Sequence, residues 1–293
     1  MPFRPWEKFA DIVGVAASGT GTADIPVAGT YFGIHLQCLD GGAAVSVANI
    51  KSDITNVKLT VDGAVLYEAD ADMIFDLYEH KYALRGGVAQ AGILPIILAP
   101  DHWTLNRESS ALGWGMREAK SFQVELTFGA SVGTASHIDQ IRTFVERIPE
   151  NRPLGEHYRL LKYTRNFPSS GVQEITEIPT EGGRQVSTTA WHFQHDGSAG
   201  VINNIETLVN NQSVFNIPPL LAKHRNEKAG RKWMADTNAK SLFSLPFDLS
   251  NDPGGYLTHD QLNDLRFRLD WSAAPGTFSL YRESFHNIGS KNR

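Results

Sequence analysis

The sequence predicts an all-β protein, a tandem double jelly roll in which two β-sandwiches stand side by side with a few short helices in the connections. Three observations predict this class. The dominant spacing of apolar residues is two, glycine and proline collect between the apolar runs, and landmarks of the first half recur in the second. With 293 residues, 41% of them apolar and 20% charged, the chain has the length of about two domains and the composition of a folded protein.

Four stretches alternate apolar and polar side chains, as strands with one buried face do: Phe32–Cys38, Val57–Val61, Phe122–Phe128 and Leu265–Trp271. After the second of these runs, Asp62-Gly63 is typical of a hairpin turn. The 26 glycines and 14 prolines fall mostly between such runs, where turns belong. Together these features predict a mainly β fold.

Four segments have helical spacing or capping residues and are predicted to interrupt the strands. Asp70–Tyr82 carries an apolar face and is followed by Gly86 as a stop, and Pro219–Ala229 begins with a proline suited to a first turn. Ser136–Ile148 places four apolar residues at helical spacing behind a serine cap. A capping box at Thr258–Gln261 predicts one short helical turn.

Five landmarks recur in the same order at offsets of 148 to 156 residues. The pairs are Ile25-Pro26 with Ile178-Pro179, Ile54–Val57 with Ile202–Ile205, the runs around Pro95 and Pro246, Leu112, Trp114 and Met116 with Leu265, Phe267 and Leu269, and Val124 with Leu280. Because a strand tolerates proline mainly at an edge or a bulge, the shared prolines predict equivalent edge strands. The series predicts that the two halves are copies of one sandwich.

The predicted domain boundaries follow from this repeat. Pro149–Gly155 is the best linker candidate and lies near the midpoint of the chain. We predict an N-terminal arm over residues 1–24, a first jelly roll with its linker helix over 25–150, and a second jelly roll with a C-terminal tail over 151–293. The arm includes Gly14–Ala23, whose small side chains suit an extended segment that is ordered only by its neighbours.

Several segments, taken in order, carry a family resemblance that covers roughly Gly29 to Phe285. They are Val57–Gly63 leading into Asp70–Tyr82, Ile93–Pro100, Arg165–Phe167, His259–Asp270 and Phe278–Glu283. In their order and spacing they resemble the major capsid proteins of tailless, membrane-containing icosahedral phages of the corticovirus type.

The resemblance implies a structural virion protein with no catalytic role. It implies a homotrimer whose six sandwiches form a pseudo-hexagonal tile, lateral contacts between tiles, and a shell that covers an internal membrane. Penton proteins and minor membrane-associated virion proteins are the other implied partners. The protein would reside in the virion capsid, and in the host bacterial cytoplasm during assembly. No cofactor is required. Some members bind calcium, but no acidic cluster of this chain matches a motif closely enough to assign ligands.

The charge and the cysteine content narrow the function further. The net charge is −5 and no basic block is present, so direct binding of nucleic acid is not expected. One cysteine, Cys38, excludes a disulfide within the chain and a cysteine-based zinc site. We expect neither a secretion signal at the proline-containing start nor a membrane-spanning helix, since the most apolar run, Gly92–Pro100, is too short.

The N-terminal residues suggest one contact surface. Phe3, Trp6 and Phe9, with Arg4 and Lys8, are predicted to touch either a membrane interface or an adjacent subunit. Tryptophan favours the membrane interface, although one short aromatic cluster binds weakly by itself. The alternative is a segment that folds against its own domain.

No group of residues in the sequence predicts an active site. His192 and His195, near Asp196, are three apart and would lie on opposite faces of a strand. The glycine-rich Gly14–Gly21 lacks the ending of a phosphate-binding loop. Asp70, Asp72 and Asp76 lie at a predicted helix start, where carboxylates favour the positive end of the helix dipole. Cys38 lies on the apolar face of a strand, where a thiol is usually inert.

Two alternatives come from other functional classes. A bicupin or an amidase-like enzyme could use two β-sandwiches, but a bicupin needs a His-x-His motif that this chain lacks. A tandem carbohydrate-binding protein would expose planar aromatic side chains on one sheet face. Most aromatic residues here fall at core positions of the alternating runs instead, which favours the capsid protein.

Overall fold

The computed structural model describes residues 4–82, 88–99, 112–178, 186–196, 202–232, 240–247, 257–258 and 262–286. Over these residues the chain is mostly β-strand, with three short helices. It divides into two compact units, and the boundary falls between Leu161 and Lys162, after the predicted linker. None of the three helices of the described residues has the length and apolar character that crossing a membrane requires.

The first sheet of unit 1 is centred on its longest strand, β3 (Thr30–Asp40). On one side this strand pairs with β10 (Gln140–Ile148), which pairs in turn with β1 (Trp6–Lys8). On its other side it pairs along its length with three short strands, β8 (Trp114–Gly115), β7 (Ile93–Ile97) and β4 (Ala43–Ala44). All of these pairs are antiparallel. The strand is buried on both faces over most of its length, although its alternation predicted one polar face.

The second sheet of unit 1 has four strands in the order β6-β5-β9-β2. They are β2 (Thr20–Asp24), β5 (Ile54–Val61), β6 (Ala64–Ala69) and β9 (Phe122–Phe128). Asp62 and Gly63 join β5 to β6 with φ values of 50° and 79°, as a tight hairpin turn with two left-handed residues requires. The helices of this unit are α1 (Val47–Asp53) and α2 (Ala71–Tyr82). The strands predicted from alternation in this unit, the turn at Asp62-Gly63 and the helix predicted at Asp70–Tyr82 are confirmed.

Unit 2 also has two sheets. The first has the order β16-β13-β19-β11, with β17 paired to β13, and the second has the order β12-β18-β14-β15. The bounds are β11 (His157–Phe167), β12 (Gly171–Ile175), β13 (Val186–Asp196), β14 (Ile202–Val209), β15 (Gln212–Ile217), α3 (Pro219–Lys228), β16 (Lys240–Pro246), β17 (Leu257–Thr258), β18 (Leu265–Trp271) and β19 (Gly276–His286). The first residues of β11 belong to unit 1, where Leu160 pairs in parallel with Tyr67.

The two units have the same topology. In unit 1 the strands of one sheet follow the order β1-β10-β3-β7, and in unit 2 the corresponding order is β11-β19-β13-β16. The other sheets read β2-β9-β5-β6 and β12-β18-β14-β15, and a helix follows the last hairpin in each unit. Each unit is therefore a sandwich in which eight strands have an equivalent in the other unit, and the predicted duplication is confirmed. The prolines also lie in equivalent edge strands, Pro95 in β7 and Pro246 in β16.

Two of the five sequence landmarks pair the wrong strands. Trp114 lies in the short β8, whereas Phe267 lies in β18, whose equivalent by topology is β9. Val124 lies in β9, whereas Leu280 lies in β19, whose equivalent is β10. The predicted match therefore slips by one strand near the end of each half.

The slip has the same origin as the wrong helix prediction for Ser136–Ile148. Residues 140–148 form β10, which pairs with β3. Inward positions 141, 143 and 145 follow strand alternation, but position 143 is a threonine, which hid the period of two. A register shift between Glu146 and Arg147 then changes the phase, and Ile148 is buried too. Because the prediction lacked this strand, the last landmarks of the two halves were aligned one strand out of step.

The remaining helix predictions have mixed outcomes. The helix at Pro219 is confirmed, with the proline in its first turn. The helical turn predicted at Thr258 is wrong at that residue, since Thr258 pairs with Ser187 as part of β17. The rest of that turn and the stop at Gly86 lie outside the described residues.

Residues 4–24, predicted as an extended arm, instead supply two strands to unit 1. β1 pairs with β10, β2 pairs with β9, and Val13 forms an isolated bridge with Thr22. The candidate linker is also tied to this unit. The Thr30 hydroxyl donates a hydrogen bond to the Glu150 carbonyl at 2.7 Å, and the Arg117 amide donates to the Arg152 carbonyl at 2.9 Å.

Candidate interaction surfaces

The predicted N-terminal contact residues lie along β10 at the edge of unit 1. The Trp6 indole stacks on the His35 imidazole with 4.0 Å between ring centroids, yet Trp6 is 57% exposed. Lys8 is exposed and pairs with Asp11 at 3.3 Å. Phe3 lies outside the described residues. One face of the indole is thus held by the protein, and the rest is open to a partner.

The other two predicted contact residues are engaged within unit 1. The Arg4 guanidinium lies 3.8 Å from the centroid of the Phe32 ring and 3.4 Å from a carboxylate oxygen of Glu146. The Phe9 ring faces the Arg147 guanidinium at 5.1 Å. Such cation–π contacts with an ion pair fasten the segment to its own unit. For Arg4 and Phe9 the contacts therefore fit the alternative interpretation, in which the segment folds against its own domain.

Trp6 also borders a groove of about 380 Å³ on unit 1, lined by aromatic residues of α2 and apolar residues of β7. Two further residues at the groove, Val88 and Ile93, are 58% and 37% exposed. His35 lines it and is only 8% exposed, with no hydrogen-bond partner at Nε2. Burial lowers the pKa of His35 to about 4, so its imidazole is neutral at neutral pH. The groove is an apolar surface that sequence reasoning missed.

The three aspartates near the start of α2 have structural roles. A carboxylate oxygen of Asp70 accepts a hydrogen bond from the Met73 amide at 2.8 Å, which caps the helix. Asp72 and Asp76 hold the Lys51 ammonium of α1 at 2.6 and 2.8 Å. Burial, followed by the charge of Asp72, raises the pKa of Asp76 to about 6, although Lys51 opposes the shift. The cluster joins α1 to α2.

The equivalent helix of unit 2 has an open surface. In α3, Leu220 and Leu221 are 75% and 55% exposed, whereas only Ala222 and Asn226 are buried. No helix precedes β14 in the described residues of unit 2, whereas α1 precedes β5 in unit 1. The difference between the two helices could not be read from the sequence, because both segments contain adjacent apolar residues.

His192 of β13 has buried partners within unit 2. His192 is fully buried in the middle of the strand, and its Nδ1 lies 2.8 Å from the Ser244 hydroxyl. Its Nε2 lies 3.3 Å from a carboxylate oxygen of Glu283, which is also buried. His195 lies three residues further along the same strand, where its backbone pairs with Ser241 of β16. His192 and Glu283 therefore belong to the interior of unit 2.

The described residues include no cluster of three or more histidine, cysteine, aspartate or glutamate side chains that could hold a metal ion. Cys38 is buried in β3 and free of any disulfide. Burial, together with the charge of Asp53, raises the pKa of its thiol. A thiol in this state is a poor nucleophile, as its position in the alternating run predicted.

A ladder of ion pairs covers the outer face of the second sheet of unit 2. Arg268 of β18 lies 3.1 Å from Glu174 of β12 and 3.4 Å from Glu206 of β14, and Arg266 reaches Glu174 at 2.9 Å. The alternation of Arg266 and Arg268 in the sequence indicated this polar face. Such partly exposed pairs add little stability, but they keep the face hydrophilic.

Two tandem jelly rolls of equivalent topology define a double jelly-roll protein. The most distinctive features on its described surface are the groove beside Trp6 and the exposed leucines of α3. Sequence profiles place the chain more narrowly: residues 7–143 match the viral coat protein P2 N-terminal domain, and residues 158–288 match the P2 C-terminal domain. The chain belongs to the viral coat protein P2 family.

Solved structures agree on the fold. The major capsid protein P2 of bacteriophage PM2 is similar with a TM-score of 0.78 at 17% identity, over 99% of each chain. The major capsid protein of Sulfolobus Turreted Icosahedral Virus is similar with a TM-score of 0.64 at 11% identity, over 96% of each chain. The Faustovirus major capsid protein has a TM-score of 0.60 at 8% identity, over 98% of this chain and 90% of that one. Among curated protein sequences, none matches this chain significantly.

The family assignment decides between the functional classes. The protein is a structural viral coat protein that resides in the virion capsid, and it is not an enzyme. The sequence prediction of a capsid protein is confirmed. The carbohydrate-binding and bicupin or amidase-like alternatives are not favoured.

Proposed function

We propose that three copies of this chain form a trimeric capsomer, which tiles an icosahedral shell over an internal membrane. The repeated topology supports this proposal most directly, because three chains with two equivalent sandwiches each supply six similar building blocks. A closed ring of three such chains has approximate sixfold symmetry. Tiles of that symmetry can pack side by side through many weak contacts.

Size-exclusion chromatography with light scattering tests the trimer. The expected mass is three times the 32.3 kDa of one chain. A monomeric mass over the whole accessible concentration range would contradict the capsomer. Electron microscopy of the same peak should then show particles with a pseudo-hexagonal outline.

We also propose that the start of the chain contacts the membrane beneath the shell or an adjacent subunit. The support is the exposure of Trp6 and Lys8, whereas Arg4 and Phe9 serve mainly to fasten the segment. Flotation with anionic phospholipid vesicles tests the membrane contact. If these side chains contact the membrane, wild-type protein floats and the double variant W6S/K8E does not. Equal flotation of the two would exclude these side chains as the lipid contact.

The other partners stay predictions from the family resemblance. They are lateral neighbours, penton proteins, minor membrane-associated virion proteins and a structural calcium ion, with assembly in the host bacterial cytoplasm and no direct nucleic-acid contact. The absence of a basic block in a chain of net charge −5 supports the last of these. Thermal unfolding with calcium and with a chelator tests the ion, since a bound ion raises the melting temperature.

A further inference from the structure

The internal duplication allows the two equivalent helices to be compared position by position. Counted from the N-cap residues Asp70 and Pro218, Asp72 of α2 corresponds to Leu220 of α3, and Asp76 corresponds to His224. In unit 1 this face of the helix is covered, because Asp72 and Asp76 bind Lys51 of α1.

In unit 2 the same face is open and has a different chemistry. Leu220 is 75% exposed and the adjacent Leu221 is 55% exposed, whereas α1 has no counterpart among the described residues of unit 2. Two neighbouring leucines at this exposure are unusual for a surface that stays in water. The comparison with unit 1 indicates that a polypeptide covers this face of the sandwich.

The same chain carries a matching recess. Among the described residues, the exposed large apolar side chains of unit 1 include Trp6, Val88 and Ile93, which border one groove. The groove is lined mainly by apolar and aromatic residues, together with Gln90, Glu146 and His35, whose Nε2 has no hydrogen-bond partner. A ring of identical subunits in head-to-tail contact needs two different, complementary patches on every chain. The exposed leucines supply one patch and the groove supplies the other.

Charge also favours a second copy over other occupants. α3 contains Lys223, Arg225 and Lys228 against the single carboxylate of Glu227, in a chain whose net charge is −5. A short basic helix with two leucines would bind an anionic membrane only weakly by itself. Docking on a second copy would bring these cations towards Glu146 at the groove, which combines apolar burial with charge attraction.

We propose that Leu220 and Leu221 of one subunit dock into the groove bordered by Trp6, Val88 and Ile93 of the next subunit, and that three such contacts close the ring. This inference rests on the proposed trimer and names the contact that forms it. It also assigns the exposed indole of Trp6 to a neighbouring subunit and not to lipid.

Cross-linking of full-length chains tests the contact. Leu220→Cys and Val88→Cys are made as separate variants, since both side chains are exposed and Cys38 is buried. The two variants are unfolded together, refolded as a mixture and oxidised. We expect a covalent dimer that contains one chain of each variant. Dimers that form only within one variant, or the absence of mixed dimers, would overturn the head-to-tail contact.

A second experiment separates failure of the contact from failure of the trimer. In L220S/L221S the mass should fall from three chains to one, with an unchanged circular dichroism spectrum. The control V172S removes an exposed apolar side chain of β12, 66% exposed and outside both patches, and should stay trimeric. If wild type is monomeric, the trimer itself is wrong. If L220S/L221S stays trimeric, only the inferred contact is wrong, and loss of vesicle flotation in that variant would assign the leucines to a membrane.

Discussion

Burial changes the pKa of single residues in ways that the sequence does not predict, and Asp76 is an example. The sequence predicts Asp76 at the start of a helix, but the residue lies in the second turn of α2, where it pairs with Lys51. Because burial favours the neutral carboxyl, the pKa of Asp76 is about 6 in the folded protein against an ordinary 3.8. Between these values the folded state binds more protons than the unfolded state. The free energy of unfolding therefore falls as the pH rises from about 4 to about 6.

Asp76→Asn should remove this component of the pH dependence. Between pH 4 and pH 6 the titration of Asp76 should lower the unfolding free energy of wild type by about 2 kcal/mol, and this decrease should be absent in the variant. Urea unfolding at several pH values measures it. Asp24→Asn, at an exposed strand end, is the control. Parallel profiles for wild type and Asp76→Asn would show that this carboxyl does not titrate with a raised pKa.

Gly115 is a residue whose role depends on close approach of the backbone. A Cβ at this position would collide with the carbonyl oxygens of Arg152 and Pro153, both in the predicted linker. Gly115→Ala should therefore lower the unfolding free energy by about 3 kcal/mol, as overpacking against rigid backbone does. Chemical denaturation measures the loss. Gly155→Ala is the matched control, since its nearest neighbour lies at 4.0 Å, and an equal effect in both variants would argue against a packed linker.

At the scale of elements, strands with uniform alternation were predictable and strands with interruptions were not. β9 and β18 have the bounds of their alternating runs, because each buries every second side chain along its whole length. β10 buries Thr143 where the pattern needs an apolar residue and then changes phase at a bulge. Its apolar residues fit a helix as well as a strand, and only pairing with β3 decides between them.

Thr143 offers a test of the strand assignment. Its hydroxyl is fully buried and has no hydrogen-bond partner, so replacing it with a methyl group removes an unsatisfied polar atom. Thr143→Val should raise the unfolding free energy by about 1 kcal/mol. Thr20→Val, at an exposed strand end, serves as the control in the same denaturation series. A destabilised Thr143→Val would contradict an inward-facing hydroxyl without a partner.

At the scale of the whole molecule, the proposed trimer links stability to concentration. Mass action stabilises a folded oligomer relative to unfolded chains. The melting temperature measured by calorimetry should therefore be several degrees higher at a protein concentration of about 100 µM than at about 1 µM. In the variant L220S/L221S this dependence should vanish. A wild-type melting temperature that does not change with concentration would argue against a trimer that dissociates on unfolding.

By itself, the sequence determined the strand-rich class, the duplication, the proline-bearing edge strands and the resemblance to capsid proteins. These properties depend on local alternation and on order along the chain, which a sequence records directly. The tertiary structure alone decided that residues 140–148 are a strand, that Lys51 binds Asp72 and Asp76, and that Trp6 stacks on His35. Each of these depends on which distant segments meet, and burial then sets the partners, charges and exposure of the side chains.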